Sequence, residues 1–218
     1  MMYENALHFL HILAWVCWLG TDFGVFMAAK FSENSELGVE ARMTMLKLLS
    51  KLDKIPRLAV PVVFTTGILL AANYGVDFIP VEIGGAIGVI WIITTLVGVT
   101  DDQHSAVATT ALKLVRYTFL GAGLILGGSA IWSLTGADLM PRWMAVKWLA
   151  FAWTALFSFA IEIRLKPAIT DYIRLQTEGA TQEINASLSK NLGRVYQVVI
   201  MVYLGTIVAA YFGINKVF

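Results

Sequence analysis

Two histidines occupy one face of the first hydrophobic segment of this chain. His8 and His11 lie near the start of the apolar stretch from Ala6 to Lys30, which is long enough to cross a bilayer. Ionisable groups inside such a segment are rare and are usually functional. An imidazole at this depth is suited to ligating a haem or a metal, or to carrying a proton. The alternative interpretation is an interfacial histidine pair above an ordinary packing seam.

A stripe of further side chains continues along the same helical face. Steps of three and four residues lead from the histidines to Trp15, Trp18 and Asp22. Asp22 lies past the middle of the segment, where it could relay protons or form a structural ion pair. Its predicted partner is Arg57 or Arg116, each at the beginning of another hydrophobic segment. We expect the ion pair, with the proton relay as the alternative.

The composition is that of a polytopic membrane protein. The 218 residues are 58% hydrophobic and 14% charged, against roughly 25% charged in a soluble domain. The net charge of +1, without a long Lys/Arg run, indicates no nucleic-acid partner. The single cysteine, Cys17, excludes an intrachain disulfide, a thiolate zinc site or an iron–sulfur cluster held by this chain alone. The N-terminus lacks the basic region of a signal peptide, so we expect the first segment to be a permanent span.

Six segments approach the roughly 20 apolar residues of a spanning helix. Basic residues are concentrated in the first, third and fifth connections, so the positive-inside rule places these connections in the cytoplasm and both termini outside. We expect an integral protein of the bacterial inner (cytoplasmic) membrane, in contact with lipid. The predicted fold is an all-α, single-domain bundle of six transmembrane helices near 5–29, 57–75, 82–100, 116–135, 141–162 and 194–215.

The orientation brings a second polar position to the depth of the histidines. Lys147 and His11 each lie about six residues inside the outer end of their span, at a rise of roughly 1.5 Å per residue. Met144 lies one turn before Lys147. A cluster of His8, His11, Met144 and Lys147 in the outer leaflet is therefore allowed. Snorkelling of Lys147 to the interface is the equally weighted alternative.

Two outer connections resemble each other. Residues 75–80 match residues 136–141 in their glycine, aspartate and proline, at an offset that also aligns Gly67 with Gly128. Coincidence among common turn residues is the alternative. The match predicts two related hairpins, at 57–100 and 116–162.

Glycines four residues apart, Gly84 with Gly88 and Gly123 with Gly127, predict close helix packing or, less favoured, a face that admits a flat ligand.

In the third connection, Asp101, Asp102 and His104 could bind a cation, although a solvated turn is the favoured interpretation.

The first cytoplasmic connection has the pattern of an amphipathic helix on the inner membrane surface. The more polar segment 163–193 is expected to be partly helical. The apolar residues at helical spacing are Val39, Met43, Leu46, Leu49 and Leu52, with the basic residues Arg42, Lys47, Lys51 and Lys54 mostly elsewhere on the helix.

The first span resembles that of the CopD/HemJ superfamily. The sequence His11-Ile-Leu-Ala-Trp-Val-Cys-Trp18-Leu-Gly20 has the histidine, tryptophan and glycine of that span, and 116–148 is similar through its glycine-rich span and Trp143-Met-Ala-Val-Lys147. The resemblance implies a haem b protein like the HemJ-type protoporphyrinogen oxidases, with His11 as a haem ligand and Lys147 near substrate or propionate. HemJ-type proteins have fewer spans, and CopD-type proteins, linked to copper uptake, are commonly longer. We therefore expect a distinct branch, whose substrate need not be protoporphyrinogen.

The leading hypothesis is a haem b membrane oxidoreductase with His11 as axial ligand. The other axial position is open or filled by His8, Met144 or Lys147. Of these, His8 is disfavoured, because it is on the same helix as His11 and the two cannot face each other across one porphyrin. Trp15 and Trp18 would then flank the macrocycle, with Lys147 and Asp22 as the predicted catalytic residues. Electrons would pass to a quinone or a partner protein.

Two other functions are open. A copper carrier could use Met140 and Met144 with His8 or His11 as a Cu(I) site, but candidate ligands stop at the outer leaflet. A non-catalytic accessory subunit, held to a larger assembly by glycine faces, would need none of these residues. A homo-oligomer is also allowed.

Overall fold

The architecture is a helical bundle, as predicted. The structure, a computed structural model, describes residues 2–76, 79–100 and 105–216, with side chains from Glu4 onward. Six helical segments are long and apolar enough to cross a membrane, with α2 and α3 together forming one of them. The predicted all-α six-span fold is confirmed. The helices are α1 (Met2–Glu33), α2 (Val39–Leu52), α3 (Lys54–Ala71), α4 (Val81–Thr100), α5 (Ala106–Trp132), α6 (Arg142–Glu178) and α7 (Gln182–Asn215).

The spanning helices form a ring. Helix α1 packs on α3, and each later helix packs on the next one along the chain up to α7. Helix α7 then returns to α1 through a less extensive contact, which closes the ring. Because α1 and α6 are not neighbours in this order, their side chains can meet only across the interior.

The two outer hairpin turns use glycine at matching positions. Gly75, after α3, and Gly136, after α5, have φ angles of 79° and 125°, a region that glycine enters readily because it lacks a Cβ. These glycines are aligned in the predicted hairpin repeat. The aligned Asp77 lies outside the described residues, as does the proposed cation site at Asp101, Asp102 and His104.

The paired glycines serve helix packing. A Cβ added to Gly84 would lie 2.5 Å from Ile68 of α3, and one added to Gly123 would lie 2.5 Å from Ala155 of α6. The second glycine of each pair faces the same neighbouring helix. The packing prediction is confirmed, and the alternative, a flat ligand against these faces, is wrong because neighbouring helices already fill the space.

The inner ends of the helices extend beyond the membrane. Helix α6 has 37 residues and is about 55 Å long, whereas the hydrocarbon core is about 30 Å thick. The segment 163–193 is therefore an antiparallel continuation of α6 and α7, confirming its predicted helical character. Helix α2 packs here: its Val39, Met43, Leu46 and Leu49 contact a buried cluster that includes Leu175, Ile184 and Leu188. The apolar face of α2 packs against this protein cluster, and its position on the inner membrane surface stays a prediction.

Arg42 connects α2 to the neighbouring ends of α1 and α7 by hydrogen bonds. Its side chain is fully buried. Its guanidinium donates to the carbonyl oxygens of Ser32 and Glu33, at 2.9 and 3.4 Å, and to the side-chain oxygen of Asn185, at 2.8 Å. The sequence grouped Arg42 with the solvated residues of α2, but it connects the end of α1 to the start of α7.

We expect Arg42→Met to destabilise the protein strongly. The variant keeps an unbranched side chain but removes the donors, and each buried acceptor left unsatisfied costs about 1–3 kcal/mol. Thermal unfolding in detergent should show a free energy of unfolding lower by about 3 kcal/mol. Lys47→Met, at an exposed position of the same helix, is the matched control and should change stability little. Equal stabilities of the two variants would contradict the structural role of Arg42.

Candidate functional site

The ring encloses a cavity near the ends of the helices that the positive-inside rule places outside. Its volume is about 380 Å³, within the roughly 300–1,000 Å³ of ligand pockets. Residues of α1, α3, α5, α6 and α7 line it, so it is the place where α1 and α6 meet. We call it the outer cavity. Six of the seven predicted site residues line it: His8, His11, Trp15, Trp18, Met144 and Lys147.

The His11 imidazole is held by a neighbouring helix. Its Nδ1 lies 2.9 Å from the hydroxyl of Thr66, and that hydroxyl lies 2.6 Å from the carbonyl oxygen of Val62. Because the Thr66 hydroxyl has one hydrogen and donates it to the carbonyl, it accepts the hydrogen of Nδ1. This arrangement assigns the proton of the neutral ring to Nδ1 and leaves the lone pair of Nε2 for a ligand.

A glycine makes room for the ring. A Cβ added to Gly67 would lie 3.2 Å from Cε1 of His11, closer than van der Waals contact. Thr66 and Gly67 are adjacent in α3, so one residue orients the imidazole and the next one accommodates it. Metal-ligating histidines are oriented in this way by a partner on the other ring nitrogen.

Lys147 crosses the cavity towards α7. A Cβ added to Gly213 would lie 2.8 Å from its Nζ. The structure records no hydrogen bond or ion pair of this ammonium with the described residues. Trp15 supplies a second donor in the same cavity, since its indole Nε1 is buried without an acceptor in the described part of the chain. The outer cavity therefore holds two N–H donors that need acceptors.

The outer rim carries another cation. Lys216, after α7, donates to the hydroxyl of Tyr74 at 2.5 Å, and its ammonium lies 4.5 Å from the Tyr74 ring centre. Trp143 packs edge-on against the same ring, at 5.2 Å between centres. Lys147 and Lys216 make this end of the cavity positive, above walls that are mostly apolar and aromatic.

The cavity opens between α1 and α7. Ile12 and Ile214 both line it, and 53% and 73% of their surfaces are exposed. Both residues belong to the pair of helices with the least extensive contact in the ring. The positive-inside rule places these ends of α1 and α7 at the outer leaflet, where such an opening would admit a ligand from the side.

His8 and Met144 complete the predicted cluster. The Nδ1 of His8 donates to the carbonyl of Glu4, 3.1 Å away in the same helix, so no other helix orients this ring through that nitrogen. Met144 is 3% exposed. Over residues 4–76, 79–100 and 105–216, no three His, Cys, Asp or Glu side chains converge as a ligand set for a metal ion.

Asp22 lies elsewhere. It lines a second cavity, of about 150 Å³, towards the inner side, together with Asp53, Arg57, Arg116 and Glu162. Arg57 pairs with Asp53 at 2.6 Å, and Arg116 pairs with Glu162. The predicted ion pair of Asp22 with either arginine is therefore wrong, because each arginine has another carboxylate closer to it. We call this second space the inner cavity.

Several residues that shape the outer cavity were not predicted from the sequence. Thr66, Gly67 and Gly213 lie in ordinary apolar stretches, and only contact with another helix reveals their roles. Gly67 was singled out solely by its alignment with Gly128. Lys216 had a weak signal, as the basic residue at the outer end of the last span.

Comparisons of this chain with protein-family models, curated proteins and solved structures find no match. The resemblance to the CopD/HemJ superfamily therefore stays a prediction from short motifs.

The contact between Gly67 and His11 predicts an energetic coupling. Replacing an open helical glycine by alanine stabilises a helix by roughly 0.5–1 kcal/mol, and we expect this gain for Gly128→Ala, which has no neighbour within 4 Å. Gly67→Ala should lose the gain because the methyl group displaces the imidazole. In an His11→Ala background the gain at Gly67 should return.

Thermal unfolding of Gly67→Ala, His11→Ala and the variant that carries both changes measures this coupling. If Gly67→Ala stabilised the protein as much as Gly128→Ala while His11 is present, the described placement of the imidazole would be incorrect.

Proposed function

We propose that the outer cavity binds a b-type haem through His11 and that the protein is a haem-dependent oxidoreductase of the bacterial inner membrane. The observation that carries this proposal is the imidazole anchored at Nδ1 by Thr66, with no hydrogen bond recorded between its Nε2 and the described residues. A haem needs only one such ligand from the chain. The absence of a three-residue ligand set in the described ranges is therefore compatible with it.

The remaining groups of the cavity fit the rest of a porphyrin. Its apolar ring would lie between aromatic side chains, with Trp15 and Trp18 on the α1 side. Its carboxylates would satisfy the ammonium of Lys147 and the Trp15 indole, the two donors without acceptors, and face Lys216 at the rim. When bound, haem supplies one-electron chemistry that the axial ligand and the burial of the site tune.

The chain's own residues then have distinct tasks. Thr66 fixes the orientation of His11, and the apolar walls exclude water. Lys147 holds an anionic group of the ligand or the substrate at its Nζ, deep in the cavity, which is why we retain it as a candidate catalytic residue. A lipophilic substrate such as a porphyrinogen, or a quinone as electron acceptor, can reach the cavity through the opening between Ile12 and Ile214.

The donor inventory favours haem over copper. Two of the polar groups that face the outer cavity are cationic lysines, and a third is an N–H donor. These groups repel a bare cation and attract an anionic acceptor. A Cu(I) site made from His11 and Met144 would lie beside uncompensated positive charge.

The test is an absorption spectrum of the purified protein, oxidised and dithionite-reduced, with metal analysis of the same sample. We expect a Soret band, reduced α and β bands and near-stoichiometric iron. In His11→Ala the Soret band should be lost while size-exclusion behaviour is unchanged. His8→Gln should keep the band, because His8 is oriented only within its own helix.

Other outcomes identify the alternatives. Bound copper with a featureless visible spectrum would replace the proposal with the carrier function. Loss of the band in His8→Gln alone would move the ligand to His8. Neither cofactor after haem supplementation during expression would leave the accessory subunit, and a redox partner protein would then have no role.

A further inference from the structure

The inner cavity contains charged groups that the proposed haem site does not use. The side chains of Asp53 and Arg57, 33% and 37% exposed, stand where the cavity approaches the inner surface. Deeper in, the cavity reaches Trp18, which also lines the outer cavity. One buried indole, 6% exposed, is therefore shared by the walls of the two cavities.

Asp22 is the unbalanced charge of this cavity. The three carboxylates that line it face two guanidinium groups, and both guanidinium groups are engaged with Asp53 and Glu162. The structure records no hydrogen bond or ion pair of the Asp22 carboxylate with the described residues. The charged and titratable groups that face it are Asp53 and Arg57 at the start of α3, Arg116 of α5, Glu162 of α6 and Tyr203 of α7, whose hydroxyl donates to the Asp22 carbonyl at 2.9 Å.

A second, independent feature indicates that the cavity holds water. Trp91 lines it and is only 2% exposed, and its indole Nε1 is buried without an acceptor in the described part of the chain. A buried N–H of this kind is normally satisfied by protein or by ordered water. A space of about 150 Å³ that is lined by three carboxylates and two guanidinium groups accommodates several water molecules.

We propose that the inner cavity is a hydrated proton site, in which Asp22 exchanges a proton with water supplied from the cytoplasmic side. A hydronium ion in the cavity water protonates the Asp22 carboxylate and becomes water, the resulting carboxyl group returns the proton to a water molecule and regenerates hydronium, and no electron is transferred. A metal cation is disfavoured, because no group of three His, Cys, Asp or Glu ligands forms within the described ranges. This proposal does not rest on haem binding, since Asp22 and Trp91 are outside the outer cavity.

The experiment uses dicyclohexylcarbodiimide, a membrane-soluble reagent that modifies protonated carboxyl groups in apolar surroundings. The full-length protein in detergent is treated at a series of pH values, and the adducts are located by peptide mass spectrometry. We expect an adduct on Asp22 that falls about tenfold per pH unit above the midpoint of its titration. Asp22→Asn should abolish this adduct, and Asp138→Asn, at an exposed outer position, should leave it unchanged.

Each remaining outcome overturns the proposal. Adducts on Asp53 or Glu162 with none on Asp22 would assign the protonated carboxyl to an ion pair. An Asp22 adduct of constant yield across the pH series would mean that the site does not exchange with water. Peptide mapping of the treated protein without any substitution locates the adduct directly, so the result does not depend on the folding of Asp22→Asn.

Discussion

A polar side chain inside a bilayer needs a partner in the protein or in a molecule bound to it, and both cavities of this molecule reflect that constraint. Helices satisfy the backbone, and the imidazole of His11 finds its partner on a neighbouring helix. The hydroxyl of Thr66 supplies the partner at 2.9 Å. This hydrogen bond leaves Nε2 as the ring nitrogen that can bind a ligand, and it fixes the orientation of the ring in the outer cavity. In that orientation the ring lies against position 67 of α3, where a glycine leaves room for it.

The same constraint divides the interior into regions with different chemistry. The outer cavity has donors without acceptors, at Lys147 and Trp15, and so suits an anionic ligand with an apolar body. The inner cavity has one carboxylate more than its arginines can pair, and so suits a proton. Trp18 belongs to both, which places a potential electron site and a potential proton site on either side of one indole.

Hydropathy was sufficient to predict the bundle, because length and composition alone identify helices that can cross a membrane. Depth along the spans was also sufficient to predict that His11 and Lys147 lie close together, since each is at a similar distance from the outer end of its span. Partner choice could not be predicted. Arg57 and Arg116 have carboxylates nearby in sequence or on an adjacent helix, so Asp22 is left without the ion pair expected for it.

Packing between distant segments was the other information that the sequence lacks. Arg42 has the pattern of a solvated residue, yet its guanidinium reaches Ser32 and Asn185 because α2 folds onto the extended ends of α6 and α7. Nothing in the sequence distinguishes Gly213 from the other glycines, and its role follows only from the side chain of Lys147, which lies against it. Periodicity locates a face on a helix, but it does not say which helix covers that face.

The position of the proton on the His11 ring is the most direct test of whether Nε2 can bind a ligand in the outer cavity. Nitrogen-15 NMR of the histidine-labelled protein without added cofactor, assigned with His11→Gln, distinguishes a ring protonated at Nδ1 from one protonated at Nε2. We expect a proton on Nδ1 and a bare Nε2 in the native protein. Thr66→Val should lose this preference, and its matched control, Thr65→Val, should keep it. A proton on Nε2 of the native ring would contradict this expectation, because no lone pair would then be available for a ligand in the outer cavity.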